Sequence, residues 1–251
     1  MIFLKVKSGE FMNIETLCVH SPKEDKNAHA YGSVSVPIFQ TATFSHPGVG
    51  DTTGYDYSRQ SNPTRTELED CITALENAYD TVATSTGMAA CLLVLELFNP
   101  GDHIISQEDI YGGSTRLFST LGVERGRTFS YVDTTVAKNV IDAINENTKA
   151  IFIETPSNPT MLVTDIREMS RIAKEHNLLL IVDNTFLSPY FQNPISLGAD
   201  IVIHSATKYI AGHNDTLAGF VCTANEELAE KIRFMYKTVG PVSYTHLTLP
   251  T

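Results

Sequence analysis

Ile201-Val202-Ile203-His204-Ser205-Ala206-Thr207-Lys208 is a short apolar run that closes on two hydroxyls and a lysine. A run of this kind bounded by polar residues reads as a buried strand. In open α/β sheets the residues just beyond a strand's carboxyl end face the ligand crevice. Lys208 is therefore either a solvated lysine past a strand end, the usual place for this residue type, or a nucleophile held at that crevice.

The same pattern repeats outward along the chain. Strands are expected at Thr81 to Thr84, His103 to Ser106, Thr128 to Val132, Ala150 to Glu154, Leu178 to Val182 and Asp200 to His204, with helical segments between most of them. Asn62-Pro63 places a capping residue and a first-turn proline ahead of Leu68, Cys71, Ile72 and Leu75, which share one helical face. A strongly apolar helix follows Ser85-Thr86-Gly87-Met88 and stops at Asn99-Pro100-Gly101-Asp102. Strands alternating with helices imply parallel pairing, and hence an α/β protein of three layers, α/β/α, with a mostly parallel sheet. Residues 1–54 show little helical periodicity and read as an N-terminal arm. Gly9-Glu10 can be encoded by a ribosome-binding sequence just before the Met12 codon, so residues 1–11 are expected to precede the native start.

Composition narrows the partners. The formal net charge of −11 disfavours nucleic acid or an anionic membrane as the main partner. No apolar run approaches the roughly 20 residues of a membrane span, and the first residues lack the pattern of a secretory signal. Cys18, Cys71, Cys91 and Cys222 form neither a CxxC pair nor a disulfide framework. The expected location is a reducing cytoplasm. His204 and His213 lack ligand spacing and companion cysteines, so no metal site is expected.

Four places carry polar residues where a strand or turn meets a helix. At Ser85-Thr86-Gly87-Met88, glycine lets a backbone come close, and the free amides of a helix start favour an anion such as phosphate; taken alone it is an ordinary cap. Asp183 ends the apolar run Leu178 to Val182, and a buried carboxylate needs a partner, structural or ligand. Ser205, Thr207 and Lys208 end the opening stretch. Tyr111-Gly112-Gly113 reads alone as a turn beside a core tyrosine. Together they supply a phosphate cradle, a carboxylate, an aromatic plate and an amine at one edge of one sheet.

Pyridoxal 5′-phosphate uses that set. Its aldehyde needs a lysine for a Schiff base, its phosphate needs hydroxyls and backbone donors, and its ring nitrogen needs a carboxylate to stay protonated. Lys208, then Ser85 with Gly87 and Met88, and Asp183 match those needs.

Six ordered blocks carry a resemblance to a known family. They are Tyr55-Asp56-Tyr57-Ser58-Arg59 with Asn62-Pro63-Thr64-Arg65; Ser85-Thr86-Gly87-Met88-Ala89-Ala90; Tyr111-Gly112-Gly113; Glu154-Thr155-Pro156-Ser157-Asn158-Pro159; Asp183-Asn184-Thr185-Phe186; and His204-Ser205-Ala206-Thr207-Lys208-Tyr209 with Gly212-His213. The chain resembles the Cys/Met-metabolism (trans-sulfuration) enzymes of fold-type I, which depend on pyridoxal phosphate. The resemblance implies an aspartate aminotransferase-like large domain at 55–241, with Lys208 as the covalent anchor and proton carrier. It also implies Asp183 on the pyridinium, Tyr111 stacked on the ring as an acid or base, and the phosphate bound by Ser205, Thr207, Gly87 and Met88. Asn158 would lie near the cofactor's 3′-oxygen and the substrate carboxylate. Tyr57 and Arg59 would reach the phosphate of a neighbouring subunit, which implies a homo-oligomer, a dimer of dimers, acting on a small amino acid.

Members of that family continue into a smaller C-terminal domain that carries the substrate-carboxylate arginine. Residues 242–251 match no block of the family and equal the translation of a sequencing-library adapter, so a non-native tail is expected there, with the small domain missing, weak cofactor binding and little turnover. Tyr111 to Phe118 and Asn184 to Pro189 look most like cystathionine γ-synthase, which implies γ-replacement on an O-acylated homoserine. Cystathionine β- and γ-lyases, methionine γ-lyase and O-acetylhomoserine sulfhydrylase are the neighbouring alternatives, and a non-catalytic cofactor-binding or oligomerising fragment is the alternative of another class. Ser205-Ala206-Thr207-Lys208 also fits S-x-x-K of penicillin-recognising enzymes, but the companion S-D-N and K-T-G are absent.

Overall fold

The structure is a computed structural model and describes residues 3–5, 11–19 and 32–243. Expectations about residues 1, 2, 6–10, 20–31 and 244–251, which include part of the arm and most of the tail, lie outside the described residues. β1 (Phe3–Lys5) pairs antiparallel with β2 (Phe11–Asn13), followed by α1 (Ile14–Val19). The arm is not wholly peripheral: Ile14 and Leu17 of α1 are buried in a core shared with Leu68 and Ile72.

The rest is α2 (Pro63–Glu76), β3 (Asp80–Thr84), α3 (Gly87–Leu95), β4 (His103–Gln107), α4 (Gly112–Leu117), a π-helical turn at Phe118–Gly122, β5 (Thr128–Val132), α5 (Ala137–Ala143), β6 (Thr148–Glu154), α6 (Ile166–Glu175), β7 (Leu179–Asp183), α7 (Ser188–Phe191), α8 (Pro194–Leu197), β8 (Ile201–His204), β9 (Gly219–Thr223) and α9 (Glu226–Val239). Each strand expected from the sequence is present to within two residues. α2 starts as its sequence dictates: the Asn62 side chain accepts from the Thr64 amide at 3.0 Å, and Pro63 occupies the first turn. Leu68, Ile72 and Leu75 are buried on one face, while Cys71 lies half-exposed at its margin.

The seven-stranded sheet has the order β3-β9-β8-β7-β6-β4-β5. Pairing is parallel from β8 through β7, β6 and β4 to β5. β9, which the sequence reading omits, pairs antiparallel with both β3 and β8. It follows β8 without a crossover helix, and a parallel return needs a crossover of a dozen or more residues, usually helical. The intervening segment, residues 205–218, is an irregular connection that carries Ser205, Thr207 and Lys208. Because β9 alone runs against the others, the carboxyl ends of β3, β4, β6, β7 and β8 share one edge.

Two cores flank the sheet. Val182 and Val202 face one side with Ile72, Met169 and Ile172 of α2 and α6; Ile181 and Ile203 face the other with Leu93, Ile232 and Tyr236 of α3 and α9. Each full burial of such a side chain contributes roughly 1.5–3 kcal/mol. At the β3 edge, Arg233 of α9 donates to both oxygens of Asp80 at 2.7 Å and to Glu69 of α2 at 2.8 Å. The Tyr236 hydroxyl donates to the Ala83 carbonyl at 2.6 Å. Val242 then bridges Thr84, and the Ser243 amide donates to the Ala83 carbonyl, so the first residues after α9 line up beside Ser85.

Candidate active site

The carboxyl edge of the sheet converges on the exit of β8. Thr86 caps α3, accepting from the Ala89 amide through its hydroxyl at 3.0 Å and from the Ala90 amide through its carbonyl at 3.1 Å. The Gly87 and Met88 amides find no acceptor among the described residues. A Cβ at Gly87 would lie 2.7 Å from Ser205 Cβ and 2.9 Å from Ser205 Oγ. The helix start and the Ser205 hydroxyl therefore share a space that only glycine leaves open. Two free amides at the positive end of a helix dipole, beside a hydroxyl, make a site for an anion.

Asp183 ends β7 and is buried. Its Oδ1 accepts from the Thr185 amide at 3.0 Å and from the Thr185 hydroxyl at 2.6 Å, while Oδ2 accepts from no donor among the described residues. The same hydroxyl accepts from the Ser205 amide at 2.8 Å, tying the β7 and β8 exits together. Burial pushes the Asp183 carboxyl up, and the Thr185 bonds and the His204 charge oppose that. Glu154 lies beside Asp183 in register at the end of β6. Burial, followed by the Asp183 charge, pushes its carboxyl up to about 8, although its Oε2 accepts from the Tyr111 amide at 2.6 Å. That bond fixes the start of α4. Gly113 is needed there: a Cβ would meet the Tyr111 ring at 2.3 Å and Met88 Sδ at 3.0 Å. Tyr111 thus sits between α4 and the α3 start, the residue being 46% exposed.

Lys208 is exposed, and its amine makes no ion pair or hydrogen bond among the described residues. It lines a cavity of about 340 Å³ with Thr207, Asn214, Asp215, Thr216 and Leu217. A larger cavity of about 460 Å³, lined by Tyr55, Glu69, Asp70, Arg233 and Lys237 among others, contains none of the expected site residues. The Thr207 hydroxyl is occupied within the chain, donating to the Ala218 carbonyl at 3.2 Å. Ser85 is held through its amide on the Pro241 carbonyl. Asn158 is half-buried, and its amide favours the charged form of Glu154.

Tyr57 and Arg59 make their contacts elsewhere in their own chain. Arg59 donates to the Lys237 carbonyl at the end of α9, packs on Gly240 and lies 5.3 Å from the Tyr57 ring centroid. Thr185 and Glu154 are the site-building residues to which the sequence reading gave no role; on the other face of the sheet, His204 Nε2 lies 2.5 Å from Glu76 Oε1. Thr185 had a legible signal, since Asp-x-Thr after a strand makes a local side-chain turn. Glu154 also had one, a carboxylate ending an apolar run beside the Asp183 strand.

The residues suit pyridoxal phosphate on structural grounds. The open cradle at Gly87 matches a phosphate, and a free oxygen on a buried carboxylate matches a protonated ring nitrogen, whose charge would favour the ionised acid. The Lys208 amine, unpaired among the described residues, lies four residues past the end of the neighbouring strand β8.

Glu154 gives the apo protein a pH dependence of defined sign. The folded chain keeps a proton that the unfolded chain releases near 4.5, so this stability is whole below that pH and is lost as pH rises through about 8. The contribution is on the order of 5 kcal/mol. Urea unfolding without added cofactor is expected to show stability falling between pH 5 and pH 8. Glu154→Gln should remove most of the slope; an unchanged slope would place the titrating group elsewhere.

Residues 15–247 match the family model for Cys/Met metabolism PLP-dependent enzymes. The chain is 50% identical over 215 residues to a cystathionine gamma-lyase of Bacillus subtilis, covering 84% of this chain and 56% of that one. It is 47% identical over 231 residues to a cystathionine beta-lyase of Lactococcus lactis, covering 92% and 60%. The crystal structure of cystathionine gamma synthase from Xanthomonas oryzae in complex with cystathionine superposes with a TM-score of 0.89 at 39% identity, over 93% of this chain and 60% of that one. The chain thus spans 56–60% of the length of these relatives.

Proposed function

The chain belongs to the Cys/Met metabolism PLP-dependent enzyme family, and from that premise we propose that it is the cofactor-holding part of a trans-sulfuration enzyme acting on a small amino acid. The reaction we assign is γ-replacement, in which the cysteine thiol displaces the whole acyloxy group from Cγ of an O-acylhomoserine, forming the Cγ–S bond of cystathionine and releasing the carboxylic acid. The observation that carries the reading is the placement, at one sheet edge, of the free α3 amides beside Ser205 and of the free Asp183 oxygen, with Lys208 four residues past the end of β8 in the same stretch as Ser205.

When bound, pyridoxal phosphate supplies an electrophilic carbon for the substrate amine and a ring that takes up electron density from the substrate Cα. The chain's residues do the rest. The Gly87 and Met88 amides and the Ser205 hydroxyl hold the phosphate, with Ser85 and Thr207 at its margin. Asp183 Oδ2 holds the proton on the ring nitrogen. Lys208 Nζ anchors the cofactor and then, as a free amine, takes the proton from Cα and returns it along the side chain. Tyr111 covers the ring, and Asn158 receives the substrate carboxylate. We assign Tyr57 and Arg59 to the phosphate of a neighbouring copy, where an arginine binds two oxygens at once, which makes the active unit a homo-oligomer. Both side chains are exposed in the single chain, which supports that role. Among the described residues no helix is long and apolar enough to cross a membrane, and a cytoplasmic location fits the free cysteines.

A lyase reading stands second, favoured by the 50% identity to a cystathionine gamma-lyase. The two separate by product. The complete enzyme of which this chain is the cofactor-holding part, given O-acetylhomoserine and cysteine, is expected to release cystathionine and acetate in equal amounts and to leave cystathionine alone intact. Breakdown of cystathionine to a 2-oxo acid, with no synthesis in the first assay, would reassign it as a lyase.

A further inference from the structure

Asp109 follows β4 and precedes Tyr111 by two residues, and the proposed reaction gives it no role. Its Oδ2 accepts from the Ser157 hydroxyl, from the Thr160 hydroxyl and, at 3.3 Å, from the Thr160 amide. These donors belong to the segment after β6, residues 155–164, which forms no helix or strand. Asn158 lies between them. The Ser157 hydroxyl also accepts from the Leu162 amide at 3.0 Å, and the Met161 amide donates to the Ser157 carbonyl at 3.0 Å. Through one fully buried serine, Asp109 therefore reaches the whole tip of the segment.

The tip needs such an anchor. Pro156 and Pro159 have no amide hydrogen to donate, and the base of the segment is closed separately, where the Thr164 amide donates to the Thr155 hydroxyl at 3.0 Å. A segment tied at its base alone keeps conformational freedom, and a side chain carried on it is poorly aimed. The Ser157 and Thr160 bonds hold the Asp109 carboxyl below its usual range, so the anchor is ionised at neutral pH and its bonds are charge-assisted. Glu154 makes the reciprocal tie: from the end of β6 it accepts from the Tyr111 amide at 2.6 Å, and the Asn158 amide favours its charged form. The β4 exit thus holds the segment after β6, and the end of β6 holds the β4 exit. Asn158 and Tyr111 are fixed relative to each other.

We propose that Asp109 is a positioning residue that aims Asn158: by holding Ser157 and Thr160 it sets the Asn158 side chain against the cofactor's 3′-oxygen and the substrate carboxylate, in register with Tyr111. The inference rests on the reading that Asn158 meets that oxygen. Asp109 itself touches neither cofactor nor substrate.

The test compares the unmodified protein with Asp109→Ala, Asn158→Ala and the double variant, each saturated with pyridoxal phosphate, by the pH at which the bound cofactor's absorbance band changes. The negative 3′-oxygen holds the proton on the nitrogen that joins cofactor to lysine, and a donor on that oxygen weakens the hold. Each single variant is therefore expected to raise the midpoint by about one pH unit. Loss of the Asp109 charge by itself would lower it, so the direction separates the two effects. The double variant should move it no further than Asn158→Ala, because Asp109 acts through Asn158. A midpoint that Asp109→Ala leaves unmoved or lowers, or a shift that adds to that of Asn158→Ala, would overturn the proposal. If Asn158→Ala itself moves nothing, the Asn158 reading fails and the inference with it. A second measurement needs no cofactor: amide hydrogen exchange at Met161 and Leu162 should be about 10-fold faster in Asp109→Ala, with the β7 amides unchanged, and equal exchange at Met161 and Leu162 would show that Asp109 does not hold the tip. Should Asp109→Ala not fold, Thr160→Val takes its place, since it removes one donor from an exposed residue; a smaller upward shift of the midpoint is expected, and an unmoved midpoint contradicts the proposal.

Discussion

Lys208→Ala is expected to abolish covalent capture of pyridoxal phosphate and to weaken its affinity at least about 100-fold, the equivalent of roughly 2.7 kcal/mol. The loss is large because the remaining contacts are ordinary hydrogen bonds and one ion pair, each worth about 0.5–3 kcal/mol. Folding should be untouched, since Lys208 is exposed and its amine has no partner among the described residues. Absorbance of the bound cofactor, compared before and after the substitution, checks this. An unchanged imine band in Lys208→Ala would mean that another lysine carries the cofactor.

Gly87→Ala is the second substitution with a large expected effect. Its Cβ would stand 2.7 Å from Ser205 Cβ and 3.0 Å from Ser205 Cα, and the second of these is backbone that cannot rotate away. Ser205 or the start of α3 must shift, at a cost of about 1–3 kcal/mol for overpacking, and the space shared by the amides and the hydroxyl closes. Cofactor affinity is expected to fall about 100-fold, with a lower melting temperature. Gly112→Ala supplies the control, because a Cβ there meets nothing within 4 Å. Equal affinity in both variants would show that the α3 start does not hold the phosphate.

The sheet was largely legible because its central strands are buried on both faces and so appear as continuous apolar runs: Ile151 to Ile153, Leu180 to Val182, Ile201 to Ile203. β9 has the same character at Phe220-Val221-Cys222, yet the rule that strands alternate with helices hid it, since an irregular connection replaces the helix before it. α1 was missed because one short turn of helix carries too little periodicity to register, although Leu17 is almost completely buried. Lys208, Asp183 and Gly87 announced themselves by sitting where apolar runs end. The His204–Glu76 pair could not, because its members are 128 residues apart and meet only through packing of α2 on the sheet. Thr207 shows the limit of residue-type reasoning: its hydroxyl is present as expected, but it holds the Ala218 backbone within the chain.

The site of cofactor attachment decides whether Lys208 is the anchor. The purified protein is incubated with pyridoxal phosphate, reduced with borohydride to make the attachment permanent, digested, and mapped by mass spectrometry. A single modified lysine at position 208 is the expected result. Modification spread over surface lysines, or concentrated on any lysine other than 208, would contradict it.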